Sequence, residues 1–197
     1  FKLWFGDSRV VDADRKPLVV YHGTQRDIKQ FAPGLSFFTN SPLVASSYAE
    51  MLDDYGRPLG GQGAVVMPMY LRIENPLVVR MKGGRYDEVL SAKAIATARA
   101  NGHDGVIFRD TIDDFSGDGG EPYRGDIYVI FDPNQAKSAI GNTGEFSQDN
   151  ADIRGAAGWD TVDAGPEQRA PSAEAIKAIA EAVQAVTGGR ITVRFVR

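Results

Sequence analysis

The chain has 197 residues, with 26 acidic against 22 basic side chains and a net charge of −4. That length suits one good-sized domain plus an appendage, and the charge speaks against general polyanion binding while leaving room for a local basic groove. The absence of cysteine excludes disulfides, thiolate catalysis and cysteine metal sites, and no apolar run approaches the ~18 residues needed to span a membrane.

In chain order, residues 1–14 read as an entry strand, and the chain, which opens on Phe1 rather than Met, reads as a piece of a longer polypeptide. Residues 12–17 have hairpin-loop chemistry between Val10-Val11 and Leu18-Val19-Val20, and the second arm ends in Tyr21-His22-Gly23-Thr24. A loop over 25–34 leads to a short apolar and aromatic strand, 35–39. Asn40-Ser41-Pro42 predicts a helix start, with a capping residue and a proline in the first turn. Leu43, Val44, Ser47, Tyr48 and Met51 follow at helical spacing until the glycines of 56–63 break it. Residues 64–73 predict a strand with Val65, Met67, Met69, Leu71 and Ile73 on one side. Pro68 on the other side hints at a sheet edge or a bulge.

A second short strand is expected over 76–80. Residues 86–100 predict a helix with Val89, Leu90, Ala94, Ile95 and Ala98 as its apolar residues, ended by Asn101-Gly102. Residues 105–108 read as a buried strand, 111–125 as a long acidic, Gly-rich loop, and 127–131 as a strand ended by Asp132-Pro133-Asn134. A last edge segment falls at 135–140, and 141–163 look irregular. The stretch 164–171 has linker composition. An amphipathic helix over 172–187, with Ile176, Ile179 and Val183 on one face, and a strand over 191–196 complete the chain. The expected organisation is a domain at 1–155, a linker at 156–171 and the start of a further domain or an appendage at 172–197. Twenty-two glycines and ten prolines, and only two or three helices among these strands, favour an α+β fold over a bundle or a doubly wound sheet.

Only two histidines occur, and His22 comes where a strand should end. Alone it would read as a satisfied structural residue, and Tyr48 alone would read as core. Together with Gly23, Thr24 and the Phe37-Phe38-Thr39 stretch, they are hard to explain by packing. Phe37 and Phe38 point in opposite directions, so one is core, and the pattern does not say which. His103, in Gly102-His103-Asp104-Gly105, reads as turn chemistry. No metal is expected: the histidines are far apart, and Asp110, Asp113, Asp114 and Asp118 lack EF-hand spacing and read as a solvated loop. Asp53-Asp54 reads as an exposed helix end.

Tyr21-His22-Gly23-Thr24, Phe37-Phe38-Thr39, Tyr48 and Ile127-Tyr128-Val129-Ile130-Phe131-Asp132 together resemble the ADP-ribosyltransferase fold of the diphtheria-toxin and poly(ADP-ribose) polymerase type. The resemblance spans about residues 17–140. Trp4-Phe5-Gly6-Asp7-Ser8 and Asp132-Pro133-Asn134-Gln135-Ala136-Lys137-Ser138 are similar to segments of transferase-like modules in very large phage and prophage polyvalent proteins. The resemblance implies a split β-sandwich with a few flanking helices. It implies a glycosyltransferase-class enzyme, of toxin or effector type, that moves ADP-ribose from NAD to a macromolecular acceptor with release of nicotinamide. Protein is the preferred acceptor because the net charge is negative, with nucleic acid left open. No membrane partner is expected, and the compartment is cytoplasmic, that of a bacterial host if phage-delivered.

The resemblance also implies roles. His22 would hold the adenosine ribose by a hydrogen bond. Gly23, followed by Thr24, would let the backbone approach the carboxamide, and Tyr48 would stack on the nicotinamide. Phe37 occupies the position of the first Tyr of the family's His-Tyr-Glu set, keeping the ring and losing the hydroxyl. Ile127 falls where the Glu belongs and cannot stabilise charge developing on the ribose. Two neighbours are candidate substitutes. Asp126 reaches the site only if the strand starts after it or carries a bulge; Glu121 lies in the preceding loop with Asp118 and Arg124. An apolar residue at the Glu position implies single transfer rather than chain elongation. The alternatives are an NAD glycohydrolase, or a catalytically silent NAD- or ADP-ribose-binding module of a large phage protein.

Overall fold

The computed structural model describes residues 1–26, 28–50, 64–113, 122–144 and 146–155. Expectations for Met51, Asp53-Asp54, the 56–63 break, Asp114, Asp118, Glu121, the linker and the 172–197 piece lie outside the described residues. The elements in chain order are helix α1 (Lys2–Phe5), strands β1 (Val20–Thr24) and β2 (Ser36–Thr39), helix α2 (Pro42–Ala49), strands β3 (Val65–Leu71) and β4 (Pro76–Arg80), helix α3 (Glu88–Ala100), and strands β5 (Gly105–Ile112), β6 (Arg124–Ile130) and β7 (Ala136–Ser138).

The strands form one sheet in the order β4-β5-β6-β2-β1-β3-β7. Neighbours are antiparallel except β4 and β5, which run parallel and are joined through α3 as the crossover. Residues 72–75 alone connect β3 to β4, yet these strands stand five positions apart in the sheet. Flat, that separation would be about 24 Å, whereas the link reaches at most about 18 Å. The sheet therefore folds over on itself. Gln135 pins the closure: its Nε2 donates to the carbonyls of Arg72 and Asp104, each at 2.9 Å. The Asp104 carboxylate in turn accepts from the backbone N–H groups of Glu74 and Asn75.

One face of the sheet encloses an apolar core that includes Val20, Phe38, Met67, Met69, Ile107, Tyr128 and Ile130, with loop residues Val10, Phe31 and Ile153. The other face is covered by helices. Val44 of α2 and Ile95 and Ala98 of α3 meet Val106, Phe108, Ile127 and Val129. The result is the expected α+β split sandwich. The helix ends follow their sequence signals: Ser41 caps α2 with Pro42 at its first position, and Asp87 caps α3.

Several expectations need correction. The opening is not a strand: Trp4 and Phe5 are buried on α1, and the Phe1 ring meets Tyr70 at 5.0 Å and Phe146 at 4.9 Å. Phe1, Trp4 and Phe5 share a helix face, but four residues are too few for a period to show. β3 is not an edge strand, since β1 and β7 flank it; Pro68 lies just past the last β7 pair, Met69 with Ser138, and its carbonyl still accepts from the Ala139 N–H at 3.0 Å. On α3 the inward residues are Ser91, Ile95 and Ala98, while Val89 and Leu90 are exposed. The 111–125 loop is shorter than expected, because β5 runs to Ile112 and β6 begins at Arg124.

Trp4 is 1% exposed and donates its Nε1–H to the Asn134 carbonyl at 3.2 Å, whereas Leu3 beside it is solvent-facing. Trp4→Ala is expected to lower unfolding stability by about 3–5 kcal/mol and Leu3→Ala by less than about 0.5 kcal/mol. Urea titration of both variants checks this, and equal effects would be incompatible with α1.

Candidate active site

β1 pairs with β3 over five residues and β2 with β6 over four, but β1 and β2 share the single rung Tyr21–Thr39. Beyond that rung the two strands part, and the folded sheet splits. The His22 ring spans the gap, with Nδ1 2.8 Å from the Phe37 carbonyl oxygen. A carbonyl only accepts, so Nδ1 is assigned the proton and Nε2 is left as an acceptor. The ring packs against Phe31 edge-on at 5.1 Å and against Phe38 at 5.4 Å. Burial lowers the imidazole pKa, with the Phe37 carbonyl opposing that only in part, so the ring is neutral at pH 7.

Phe31 is held over His22 from a distance. The Ile153 N–H donates to the Lys29 carbonyl at 2.9 Å, and Gln30 bridges to Asp152. The segment carrying Asp152 is itself tied down by the buried Lys137, whose Nζ donates to the carbonyls of Asn150 and Asp152. Burial pushes the Lys137 pKa down, and Asp152 opposes the shift.

Gly23, Phe37 and Ile127 belong to the helix-covered face. A Cβ on Gly23 would lie 1.8 Å from the Ala45 carbonyl oxygen, so α2 rests directly on β1 and only glycine fits between them. The Thr24 hydroxyl accepts from the Arg26 N–H at 3.2 Å. Phe38 is the core phenylalanine, and Phe37 shows 38% of its surface to solvent. Ile127 sits opposite Thr39, is 3% exposed, and is packed in the apolar cluster under the helices. The Tyr48 ring packs against the same cluster, and its hydroxyl donates to Asp113 Oδ1 at 2.7 Å. Burial and that carboxylate hold the phenol pKa well above its ordinary value.

Asp126 stands elsewhere. β6 begins two residues before it, and the bulge is on the facing strand, where Arg109 and Asp110 oppose Asp126 alone. Its side chain therefore lies on the face of Tyr128, not of Ile127. Its carboxylate accepts from Arg109 Nη1 at 2.6 Å and from the Asp110 N–H at 2.8 Å. Asn40 Oδ1 accepts from its backbone N–H at 2.7 Å. Gly23, Phe37, Tyr48 and Ile127 thus share one side of the sheet, while His22 and Asp126 belong to the other, two strands apart. Sequence reasoning missed Phe31, Arg109 and the separate position of Asp113. A bulge leaves no mark in the residue pattern, and Asp113 was hidden in an acidic run. Among the described residues, no group of three or more His, Asp or Glu side chains could hold a metal ion.

The family model described as ADP-ribosyltransferase in polyvalent proteins matches residues 12–146. The chain belongs to this family. No curated protein and no solved structure matches it. For an ADP-ribosyltransferase domain, the matched span covers both halves of the sheet from the hairpin before β1 to the segment after β7, including every strand.

Two outcomes follow for this domain. Gly23→Ala should destabilise it or displace α2, by more than about 2 kcal/mol, as read by thermal unfolding. The lowered His22 pKa fixes a pH dependence. Above about pH 6.5 the imidazole is neutral folded and unfolded; as pH falls below that, the unfolded chain takes up a proton that the folded one does not, and stability falls through the lowered folded pKa. His22→Gln should flatten that part of the loss in urea midpoints between pH 7.5 and 5.

Proposed function

We propose that this domain binds NAD at the split between β1 and β2 and transfers one ADP-ribose to a macromolecular acceptor. The bond between ribose C1′ and the nicotinamide nitrogen breaks, and its electron pair leaves with neutral nicotinamide. The acceptor nucleophile bonds to C1′ and releases its proton. In this reading His22 accepts a hydrogen bond from a ribose hydroxyl through Nε2. Gly23 and Thr24 offer backbone to the carboxamide, Phe37 presents a ring at the edge of the split, and Tyr48 takes the nicotinamide ring. The observation that carries the proposal is the single-rung split. It lies at the His-Gly pair, with a neutral imidazole on one side and the half-exposed Phe37 on the other. A protein acceptor is favoured by the net charge of −4.

A second reading has its own support. Ile127 is buried among apolar side chains, so that position supplies no carboxylate for a developing oxocarbenium ion. The Asp126 carboxylate is engaged by Arg109 and Asp110 on the opposite face, and Glu121 stays a candidate. A domain with these features would hold NAD or ADP-ribose without turning it over, or would pass the ribose slowly to water as a glycohydrolase.

Incubation with labelled NAD and bacterial lysate separates the readings. Transfer puts label on protein and frees nicotinamide; hydrolysis frees nicotinamide alone. Neither product, with NAD binding that His22→Ala abolishes, leaves the binding module. Tyr48→Ala should weaken NAD binding strongly, by about 1–3 kcal/mol of lost stacking. A wild-type chain that binds neither NAD nor ADP-ribose would sink all three.

A further inference from the structure

Asp113 differs from what its place in an acidic, Gly-rich run suggests. It is 8% exposed, and one carboxylate oxygen accepts the Tyr48 hydroxyl at 2.7 Å. Its own N–H donates to the Tyr123 carbonyl at 3.1 Å, which sets it opposite a residue whose ring packs on the cluster containing Ile127.

Strand parity explains how it gets there. On β5, Val106 and Phe108 face the helices and Ile107 faces the inner core. With unbroken alternation, Asp113 would share the inner-core side with Ile107. Between Phe108 and Thr111 two residues, Arg109 and Asp110, oppose the single Asp126. This bulge reverses the parity, so that Thr111 pairs with Gly125 and Asp113 comes to the helix side. Asp126 secures the bulge by accepting from the Arg109 guanidinium and the Asp110 N–H. Asp110 itself has φ of 61°, backbone that non-glycine residues rarely adopt without such support. One carboxylate therefore clamps the strand, and the clamp aims another carboxylate at Tyr48.

We propose that Asp113 is a positioning and specificity residue of the nicotinamide subsite. It fixes the Tyr48 phenol and makes the subsite prefer the cationic nicotinamide ring of NAD over the neutral dihydro ring of NADH. The proposal rests on the reading that Tyr48 takes that ring. A phenol that donates to a carboxylate presents a more electron-rich face, which attracts a cation more strongly. The carboxylate adds a direct attraction about one ring-length away. Neither effect acts on a neutral ring. Besides burial, the charges of Asp113, of Tyr86 and of Glu88 at the start of α3 push the Tyr48 phenol pKa up.

Titration calorimetry with NAD and with NADH, on the wild-type chain and on Asp113→Asn, tests this. Asparagine keeps an oxygen to accept from Tyr48 and removes the charge. Wild type should favour NAD by about tenfold, the scale of one partly screened charge pair. Asp113→Asn should lose that preference through weaker NAD binding, with NADH affinity unchanged. A variant that loses affinity for both ligands equally would mean that Asp113 only supports the fold, and would overturn the proposal. So would a wild-type chain that binds both equally, a measurement that stands even if the variant does not fold; NAD binding, and with it the proposed function, would survive. A wild-type chain that binds neither ligand overturns both.

Discussion

Residues 72–75 must carry the chain from one side of the sheet to its far edge, and they are too short to do so across a flat surface. The sheet bends to meet that limit, and Gln135 and Asp104 lock the bend with side-chain bonds to the link and its neighbours. A bent sheet brings its two halves over a common core that, among the described residues, no helix enters. The cost appears where the halves join. β1 and β2 keep one rung, and past it lie His22 and Gly23 on one strand and Phe37 on the other. The split is thus a consequence of closure rather than a separate device.

Two close fits then set what the split can hold. The first is α2 on β1, where the missing Cβ of Gly23 lets the Ala45 carbonyl sit against the strand and brings Tyr48 over the apolar cluster. The second is the bulge in β5, which gives the residues after it the opposite facing from the residues before it. Both act on the helix-covered side. On the inner side, His22 is kept neutral by the aromatic rings around it. Phe31, which completes that enclosure, is held by the strap that Lys137 anchors.

The family pattern is kept unevenly in this geometry. His22, Gly23 and Tyr48 stand in elements whose positions the fold strongly constrains. Phe37 retains a ring without a hydroxyl, and Ile127 fills its place with hydrocarbon. Two of the described carboxylates are tied up in structure: Asp126 holds the bulge, and Asp113 holds Tyr48. Charge near Tyr48 therefore comes from Asp113, just past β5, and not from the Ile127 position on β6.

Much of the fold was legible in the sequence because its signals are local. The turn at 12–17, the Ser41-Pro42 helix start, the alternation of β3 and the Asp132-Pro133 stop each depend on a few adjacent residues whose backbone preferences are strong. The motif residues His22, Gly23, Phe37 and Tyr48 were legible for the same reason, as was the absence of a carboxylate at Ile127. The tertiary structure alone decided which of Phe37 and Phe38 is core, because alternation is symmetric until a second layer picks a side. It also decided that the opening residues form a helical turn around Trp4, whose partners Asn134 and Phe146 are remote in the chain, as is Tyr70 against Phe1. The facing of Asp113 was beyond the sequence too. It depends on one extra residue earlier in its own strand, β5, and the pairing of two strands is not written in either one.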